Sequence, residues 1–141
     1  MCPEKNGIDW LRKPIERWPD IKWDLAPEHF YYADDNASPD SWTPGTFMVL
    51  CNVCLTRLNL IHDGELGDVW RPEKATCLLN HLSSGGAITP PWFGLNGKRI
   101  NIKGGSHRLT LCKKKGILVI PILIEKMQRE AIKQLLSSAT G

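Results

Sequence analysis

The chain has 141 residues, of which 42% are hydrophobic and 23% are charged, and its net charge is +3 at pH 7. This length and composition are typical of one globular domain with its own core. No stretch approaches the roughly 18 consecutive apolar residues of a membrane-spanning helix, and residues 1–10 lack the pattern of a signal peptide. We therefore expect a cytoplasmic protein that does not bind a membrane.

Charge is unevenly distributed along the chain. Residues 98–141 contain ten Lys and Arg and two acidic residues, a local charge of +8, whereas residues 1–97 have a local charge of −5. A basic segment beside an acidic remainder favours an anionic partner, and we expect DNA to be a candidate partner for this segment. An ordinary solvated helix surface is the alternative interpretation.

Residues 1–45 predict an irregular region that packs on the rest of the domain, residues 46–141. The first region contains four of the six tryptophans and six of the ten prolines, and its apolar positions follow neither the helical nor the strand period. We expect these tryptophans to pack on the domain, with stacking on bases as the alternative.

The first regular elements follow residue 45. Residues 46–61 are apolar throughout, and their period does not choose between helix and strand, although the composition favours a strand for Leu55–Ile61. Pro72–Ser83 predicts a helix, because proline suits the first turn and Gly85 and Gly86 end it.

The second half of the chain predicts alternating strands and helices. Residues 88–103 form a hairpin around an Asn-Gly turn, with strands Ile88–Leu95 and Arg99–Lys103. A short helix, a buried strand and an amphipathic helix follow at His107–Lys115, Ile117–Ile124 and Glu125–Leu136. The fold class is therefore α/β (α+β): a compact domain with a small mixed sheet and flanking helices.

A glycine-rich turn joins the hairpin to the short helix. Lys103 ends the strand, and Gly104 and Gly105 can adopt backbone angles that other residues avoid and leave no side chain in the way. Ser106 suits the N-cap of the helix, which is its expected role, although a serine here is also a candidate nucleophile.

Two basic side chains, His107 and Arg108, occupy the first helical turn, where acidic residues are usually preferred. They become favourable there if an anion binds at the helix N-terminus. A phosphate would be bound by the backbone N–H groups, the Arg108 guanidinium and His107. The alternative is an ordinary strand–turn–helix unit with exposed His and Arg side chains.

The segment "INIKGGSHRLTLCKKKGILVIPILI", residues 100–124, resembles the signature of the ParB/sulfiredoxin superfamily. That signature is a strand, a Gly-x-[His/Arg/Cys]-Arg-type turn, a helix, a glycine and a strand of the "IPV" kind, matched here by "ILVIPI" at residues 117–122. The upstream helix followed by "ITPPWFGL" also fits, so the resemblance covers about residues 55–125. It maps residues 103–108 onto the phosphate-binding turn.

The resemblance implies nucleotide and phosphate chemistry. Members of the superfamily include partition proteins that use CTP, sulfiredoxins that use ATP, a free-serine kinase, nucleases, and plasmid proteins that block transfer of other plasmids with ATPase and DNase activities. We therefore expect a bacterial protein, encoded by a plasmid or phage, that binds ATP or another nucleoside triphosphate with Mg²⁺. It would act as an ATPase or a metal-dependent DNase on plasmid or phage DNA.

In that reaction Arg108 would stabilise phosphate charge, and His107 would be a phosphate ligand or an acid/base. Two alternatives stay open: a non-catalytic module that binds a nucleotide or DNA, and a small-molecule kinase that acts on an amino acid. A protein partner is a further expectation of unknown identity.

Two departures from the family narrow these expectations. Ser106 stands where sulfiredoxins have their working cysteine, and a serine cannot form the thiolate intermediates, so sulfiredoxin activity is disfavoured. The chain continues for about 17 residues beyond the "IP" strand, where partition proteins have a helix-turn-helix domain. We therefore do not expect dedicated centromere recognition.

Phosphoryl transfer usually needs a metal held by a carboxylate. The nearest acidic residues precede or begin the Pro72–Ser83 helix, and one of them would hold Mg²⁺: Asp63, Glu65, Asp68 and Glu73. Solvated loop acids are the more ordinary interpretation of each.

Four further residues have the spacing of a zinc site: Cys51, Cys54, Cys77 and His81. The apolar context favours buried, reduced thiols instead, as expected of cytosolic cysteines. In a strand, Cys51 and Cys54 would point to opposite faces, whereas in a helix they would share one. Cys112 is expected to lie on the core side of its helix.

Overall fold

A computed structural model of the chain describes residues 9–26, 44–64, 66 and 69–138. These residues form four strands and four α-helices. In chain order they are β1 (Phe47–Cys54), α1 (Leu55–Ile61), α2 (Pro72–Ser83), β2 (Trp92–Asn96), β3 (Arg99–Gly104), α3 (Ser106–Lys114), β4 (Val119–Glu125) and α4 (Arg129–Ser138).

The four strands form one mixed sheet in the order β1-β4-β2-β3. β1 pairs with β4 and β2 pairs with β3, both antiparallel, and β2 is joined to β4 by a parallel pairing of Trp92 with Leu123. This is the small mixed sheet with flanking helices that the sequence predicts. The β2–β3 hairpin turns at Gly97, where φ is +65°.

Residues 46–61 contain both a strand and a helix, so the strand predicted for Leu55–Ile61 is wrong. β1 ends at Cys54 after a bulge, and α1 begins at the next residue. Leu55, Leu58 and Ile61 recur at the helical period and are buried in the main core. The burial of these three apolar side chains stabilises a helix, although the amino-acid composition of the segment favours a strand.

The predicted C-terminal helix begins later than expected. Glu125 is the last residue of β4, a short 3₁₀ turn follows, and α4 starts at Arg129. Met127, predicted on the apolar face, is 94% exposed, whereas Ile132 is fully buried. The strand extends because Glu125 pairs with Phe47 in the antiparallel ladder with β1.

Two hydrophobic clusters fill the interior. The main cluster joins one face of the sheet to α1, α3 and α4. The second cluster contains Trp10 and Trp18 packed against α2, and the indole of Trp10 donates a 2.8 Å hydrogen bond to the side-chain oxygen of Asn80. Trp42, the fourth tryptophan of residues 1–45, lies outside the described residues.

The longest described helix, α2, has 12 residues. None of the helices in the described ranges combines the length and the apolar character that a membrane crossing requires.

Candidate functional site

The turn between β3 and α3 is built around Gly105, which is the N-cap of α3 and has a left-handed φ of +88°. A Cβ at this position would collide with the guanidinium of Arg108, so glycine is needed both for the angle and for the space. Ser106 is the first helical residue, and the predicted N-cap role of its side chain is therefore wrong. Because Gly105 has the left-handed conformation, the helix begins one residue later, and Gly105 rather than Ser106 is the N-cap.

His107 points into the protein, with 3% of its surface exposed. Its Nε2 accepts a 3.0 Å hydrogen bond from the backbone N–H of Arg71. Because Nε2 is an acceptor, the ring is neutral and its proton is on Nδ1. The imidazole also packs beside Trp70, with ring centroids 6.3 Å apart. His107 thus ties the start of α3 to the segment that leads into α2.

Arg108 is fully buried. Its guanidinium donates a hydrogen bond to the backbone carbonyl of Thr89 and packs against Gly105. Lys103 is exposed, and its aliphatic stem lies against Gly94. The structure therefore brings the predicted residues of the turn together, but only Lys103 presents an exposed basic side chain there.

An aromatic column that the sequence did not predict adjoins this turn. Trp70 stacks on Trp18 with centroids 5.7 Å apart and packs against His107 on another side. The ammonium of Lys114 lies 5.3 Å from the Trp70 ring centroid, in range of a cation–π contact. The one available signal was a tryptophan two residues before the proline that begins a helix, and it does not specify these partners.

The candidate magnesium ligands do not gather at the turn. Asp63 accepts a hydrogen bond from the Asn96 side chain and lies beside Ile100, near the start of β3. The turn follows the other end of this strand, roughly 13 Å away at about 3.3 Å per residue. Glu73 is exposed in the first turn of α2, where a carboxylate complements the helix dipole.

Glu65 and Asp68 lie outside the described residues. Within the ranges that are described, no three His, Cys, Asp or Glu side chains come together as metal ligands.

Part of the positive charge of residues 98–141 is engaged within the fold. Besides Arg108, three of these cations donate to backbone carbonyls: Lys113 to Leu66 at 3.1 Å, Lys115 to Pro19 at 3.1 Å, and Arg99 to His62 at 2.8 Å. Each contact joins the segment to a distant part of the chain. Lys98, Lys126 and Lys133 are among the cations of this segment whose side chains are exposed.

The cysteines differ from the expected set of buried, reduced thiols. Cys51 is exposed and Cys54 is half-buried, both as free thiols, whereas Cys112 is a buried free thiol, as predicted. Cys77 is disulfide-bonded, so the expectation of a reduced thiol is wrong for this residue. The ring of His81 bonds the carbonyl of Ala87 at 2.8 Å.

The two helix-associated thiols also differ in acidity. The backbone N–H groups of Arg57 and then Thr56 lower the pKa of the Cys54 thiol, because they favour the thiolate. Burial raises the pKa of Cys112 to about 12. Among these thiols, only Cys54 combines access to solvent with a lowered pKa.

No protein-family model matches the chain, and neither a curated protein nor a solved structure matches it. The resemblance to the ParB/sulfiredoxin superfamily therefore stays a prediction from the motif. The interpretation of the turn depends on the contacts described above.

Proposed function

We propose that the chain binds the phosphates of a nucleotide at the β3–α3 turn, residues 103–108. The observation that carries the proposal is the packing of the Arg108 guanidinium against Gly105, the N-cap of α3. This contact fixes a positive charge beside the first N–H groups of the helix, the backbone groups that bind phosphates at helix N-termini. The motif resemblance supports the same assignment.

The burial of the two side chains changes how they would act. Arg108 would stabilise phosphate charge through its field from beneath the turn, which is effective because the protein interior screens charge less than water does. His107 would position the turn through its bond to Arg71. Direct contacts to phosphate would come from the backbone N–H groups and from the exposed ammonium of Lys103.

We extend the proposal to hydrolysis of ATP or of a DNA backbone with Mg²⁺, in competition between plasmids or phages in a bacterial cell. Glu73 is the described acid that the contacts connect most directly to the turn, because it lies two residues beyond Arg71. In that role its carboxylate would hold Mg²⁺, which supplies charge stabilisation when bound.

Binding without turnover is the second candidate function. The observation that favours it is the hydrogen bond from the Arg71 N–H to His107 Nε2. A nitrogen that already accepts this bond would have to give it up before it could act as a general base.

Calorimetric titration with Mg·ATP tests the binding site. We expect the wild type to bind, and Lys103→Met to weaken binding about tenfold, the loss of about 1.4 kcal/mol expected for one charge-assisted contact. Lys98→Met, which removes an exposed charge at the β2–β3 turn, is the matched control and should change affinity less than about twofold. No binding by the wild type, or equal losses in both variants, would contradict the proposal.

Phosphate release and plasmid nicking, each with and without Mg²⁺, test turnover. Activity of the wild type that Lys103→Met reduces would support the hydrolase. Nucleotide binding without release or nicking would identify a binding module. ADP formation that requires an added free amino acid and is not matched by phosphate release would identify a kinase, because the phosphoryl group is transferred to the amino acid.

A further inference from the structure

A β-bulge places Cys51 and Cys54 on the same face of the sheet. Leu50 pairs with Ile122 and Val53 with Ile120, so β1 has one residue more than β4 between these pairs. The extra residue is accommodated at Asn52, which has a left-handed φ of +59°. In a regular strand, cysteines three residues apart would point to opposite faces, as the sequence predicts. The bulge reverses this.

The pairing register gives the separation of the two cysteines. Cys54 pairs with Val119, and Cys51 lies opposite Pro121, next to the pair formed by Leu50 and Ile122. Two steps of a ladder correspond to a rise of roughly 6.7 Å. Disulfides join Cα atoms about 4.4–6.8 Å apart and Cβ atoms about 3.5–4.5 Å apart. The Cα separation is therefore at the upper end of the disulfide range, and the two side chains have to turn towards each other for the bond to form.

The two thiols also have complementary accessibility. Cys51 is exposed, and Cys54 is half-buried where the strand meets α1. The N–H groups of Arg57 and Thr56 favour the thiolate of Cys54, which makes it the better attacking group of the pair. Cys51 is the neighbouring thiol, and it lies where it can attack a mixed disulfide formed at Cys54.

The surface beside the thiols is apolar. Val119, the cross-strand partner of Cys54, is 52% exposed, and Leu118 is 67% exposed. A cleft of about 480 Å³ begins at the same place and is lined in part by Leu55, Thr56 and Leu118. This arrangement suits a polypeptide that presents a disulfide between apolar side chains.

We propose that Cys51 and Cys54 form a redox-active dithiol that exchanges electrons with disulfides of apolar polypeptide segments. The Cys54 thiolate attacks one sulfur of the external disulfide, so the external S–S bond breaks, a mixed disulfide forms, and one substrate thiolate leaves and takes a proton from solvent. The Cys51 thiolate then attacks the Cys54 sulfur and expels the second substrate thiolate. The dithiol is oxidised to a disulfide, and the external disulfide is reduced to two thiols.

The full chain is equilibrated in buffers that differ in the ratio of reduced to oxidised glutathione. Free thiols are then blocked with N-ethylmaleimide, and the tryptic peptides are analysed by mass spectrometry. Residues 23–57 form one tryptic peptide that contains these two cysteines and no other. We expect two forms of this peptide, related by a single two-electron transition. The reduced form carries two maleimides, and the oxidised form carries none and is two hydrogens lighter than the unmodified dithiol. Two persistently free thiols, or glutathione adducts without an internal disulfide, would overturn the proposal.

Two variants test the order of attack. Cys51→Ser should accumulate glutathione on Cys54, because the displacing thiol is missing, whereas Cys54→Ser should form its adduct on Cys51 about tenfold more slowly. Both should keep the unfolding midpoint of the wild type, which shows that the differences are chemical. Equal adduct rates in the two variants would contradict the assigned order.

Leu118→Ser tests the apolar surface. We expect about a fivefold slower reaction with a leucine-flanked peptide disulfide, the equivalent of losing about 1 kcal/mol of apolar contact. The reaction with glutathione disulfide should be unchanged, because it has no apolar flank to bind. Equal slowing of both reactions would remove the polypeptide from the proposal.

Discussion

Two strand-to-helix junctions of this fold use the same backbone device in opposite environments. At the β3–α3 junction, Gly105 has a φ of +88° directly before the helix, and the adjoining His107 and Arg108 are buried. At the β1–α1 junction, Asn52 has a φ of +59° shortly before the helix, and Cys51 beside it is exposed. A left-handed residue redirects the chain in both places.

The difference between the junctions lies in which side chains solvent can reach. At β3–α3 the side chains of His107 and Arg108 bond to backbone groups of other segments, so their main role is to stabilise the conformation of the turn. At β1–α1 Cys51 is exposed and Cys54 is half-buried, and within the described part of the chain neither side chain bonds to a distant segment. The residue types alone suggested the opposite pattern of exposure, in which the basic side chains are exposed and the thiols are buried. Accessibility therefore decides which junction offers direct chemistry.

Thiol alkylation gives the largest expected contrast between the two junction helices, α1 and α3. Iodoacetamide reacts with the thiolate, so reactivity rises as pH approaches the pKa from below. The pKa of Cys54 is lowered from 9.0, whereas burial raises the pKa of Cys112 to about 12. At pH 7.5 we expect Cys54 to be alkylated while Cys112 stays unmodified, because the thiolate is favoured and accessible at Cys54 and disfavoured by burial at Cys112.

Peptide mass spectrometry over a time course measures both rates in one sample. The rate for Cys54 should level off at a lower pH than that of an unperturbed cysteine, and Cys112 should react only after denaturant is added. Similar rates in the native protein would mean that α3 opens readily, and would remove the contrast between the junctions.

The next largest effect is expected from Gly105→Ala, with Gly116→Ala as its matched control. Both glycines have positive φ, so alanine is strained by about 1 kcal/mol at either site. Only at Gly105 would the new Cβ meet a neighbour, the guanidinium of Arg108. We expect overpacking there to add about 2 kcal/mol, so Gly105→Ala should lower the free energy of unfolding by about 3 kcal/mol and Gly116→Ala by about 1.

Urea denaturation measures both losses, provided the slopes of the transitions agree with the wild type. Equal losses in the two variants would show that the Arg108 guanidinium moves aside without cost. The positive charge of Arg108 would then not be held in a fixed position at the turn, which would contradict the observation on which the proposed phosphate site rests.

Elements with local signals could be predicted from the sequence. Helix α2 spans Pro72–Ser83 as predicted, because proline at its start and the glycines after its end act within a few residues. The hairpin follows from its Asn-Gly turn for the same reason. Helix α1 lacks a side-chain cap and contains apolar residues that also suit a strand, so only its tertiary contacts settle its structure.

The candidate sites depended more on distant contacts. The order of residues 103–108 predicts a strand, a glycine turn and a helix, but not the burial of Arg108, which bonds to a carbonyl 19 residues away. The shared face of Cys51 and Cys54 depends on one extra residue in β1, which is visible only when β1 is aligned with β4. Neither feature has a local sequence signal.

The smallest effect that separates the two junctions is expected at Asn52. Asparagine tolerates its φ of +59° better than other residues with a Cβ, so Asn52→Ala should lower the free energy of unfolding by about 1 kcal/mol. Asn52→Gly should stay within about 0.5 kcal/mol of the wild type, because relief of strain offsets the added freedom of the unfolded chain. Urea denaturation compares the two variants, and the tryptic peptide reports disulfide formation.

If alanine is tolerated as well as glycine, the bulge does not depend on the left-handed residue. The shared face of Cys51 and Cys54 then has to be maintained by the pairing of β1 with β4 alone.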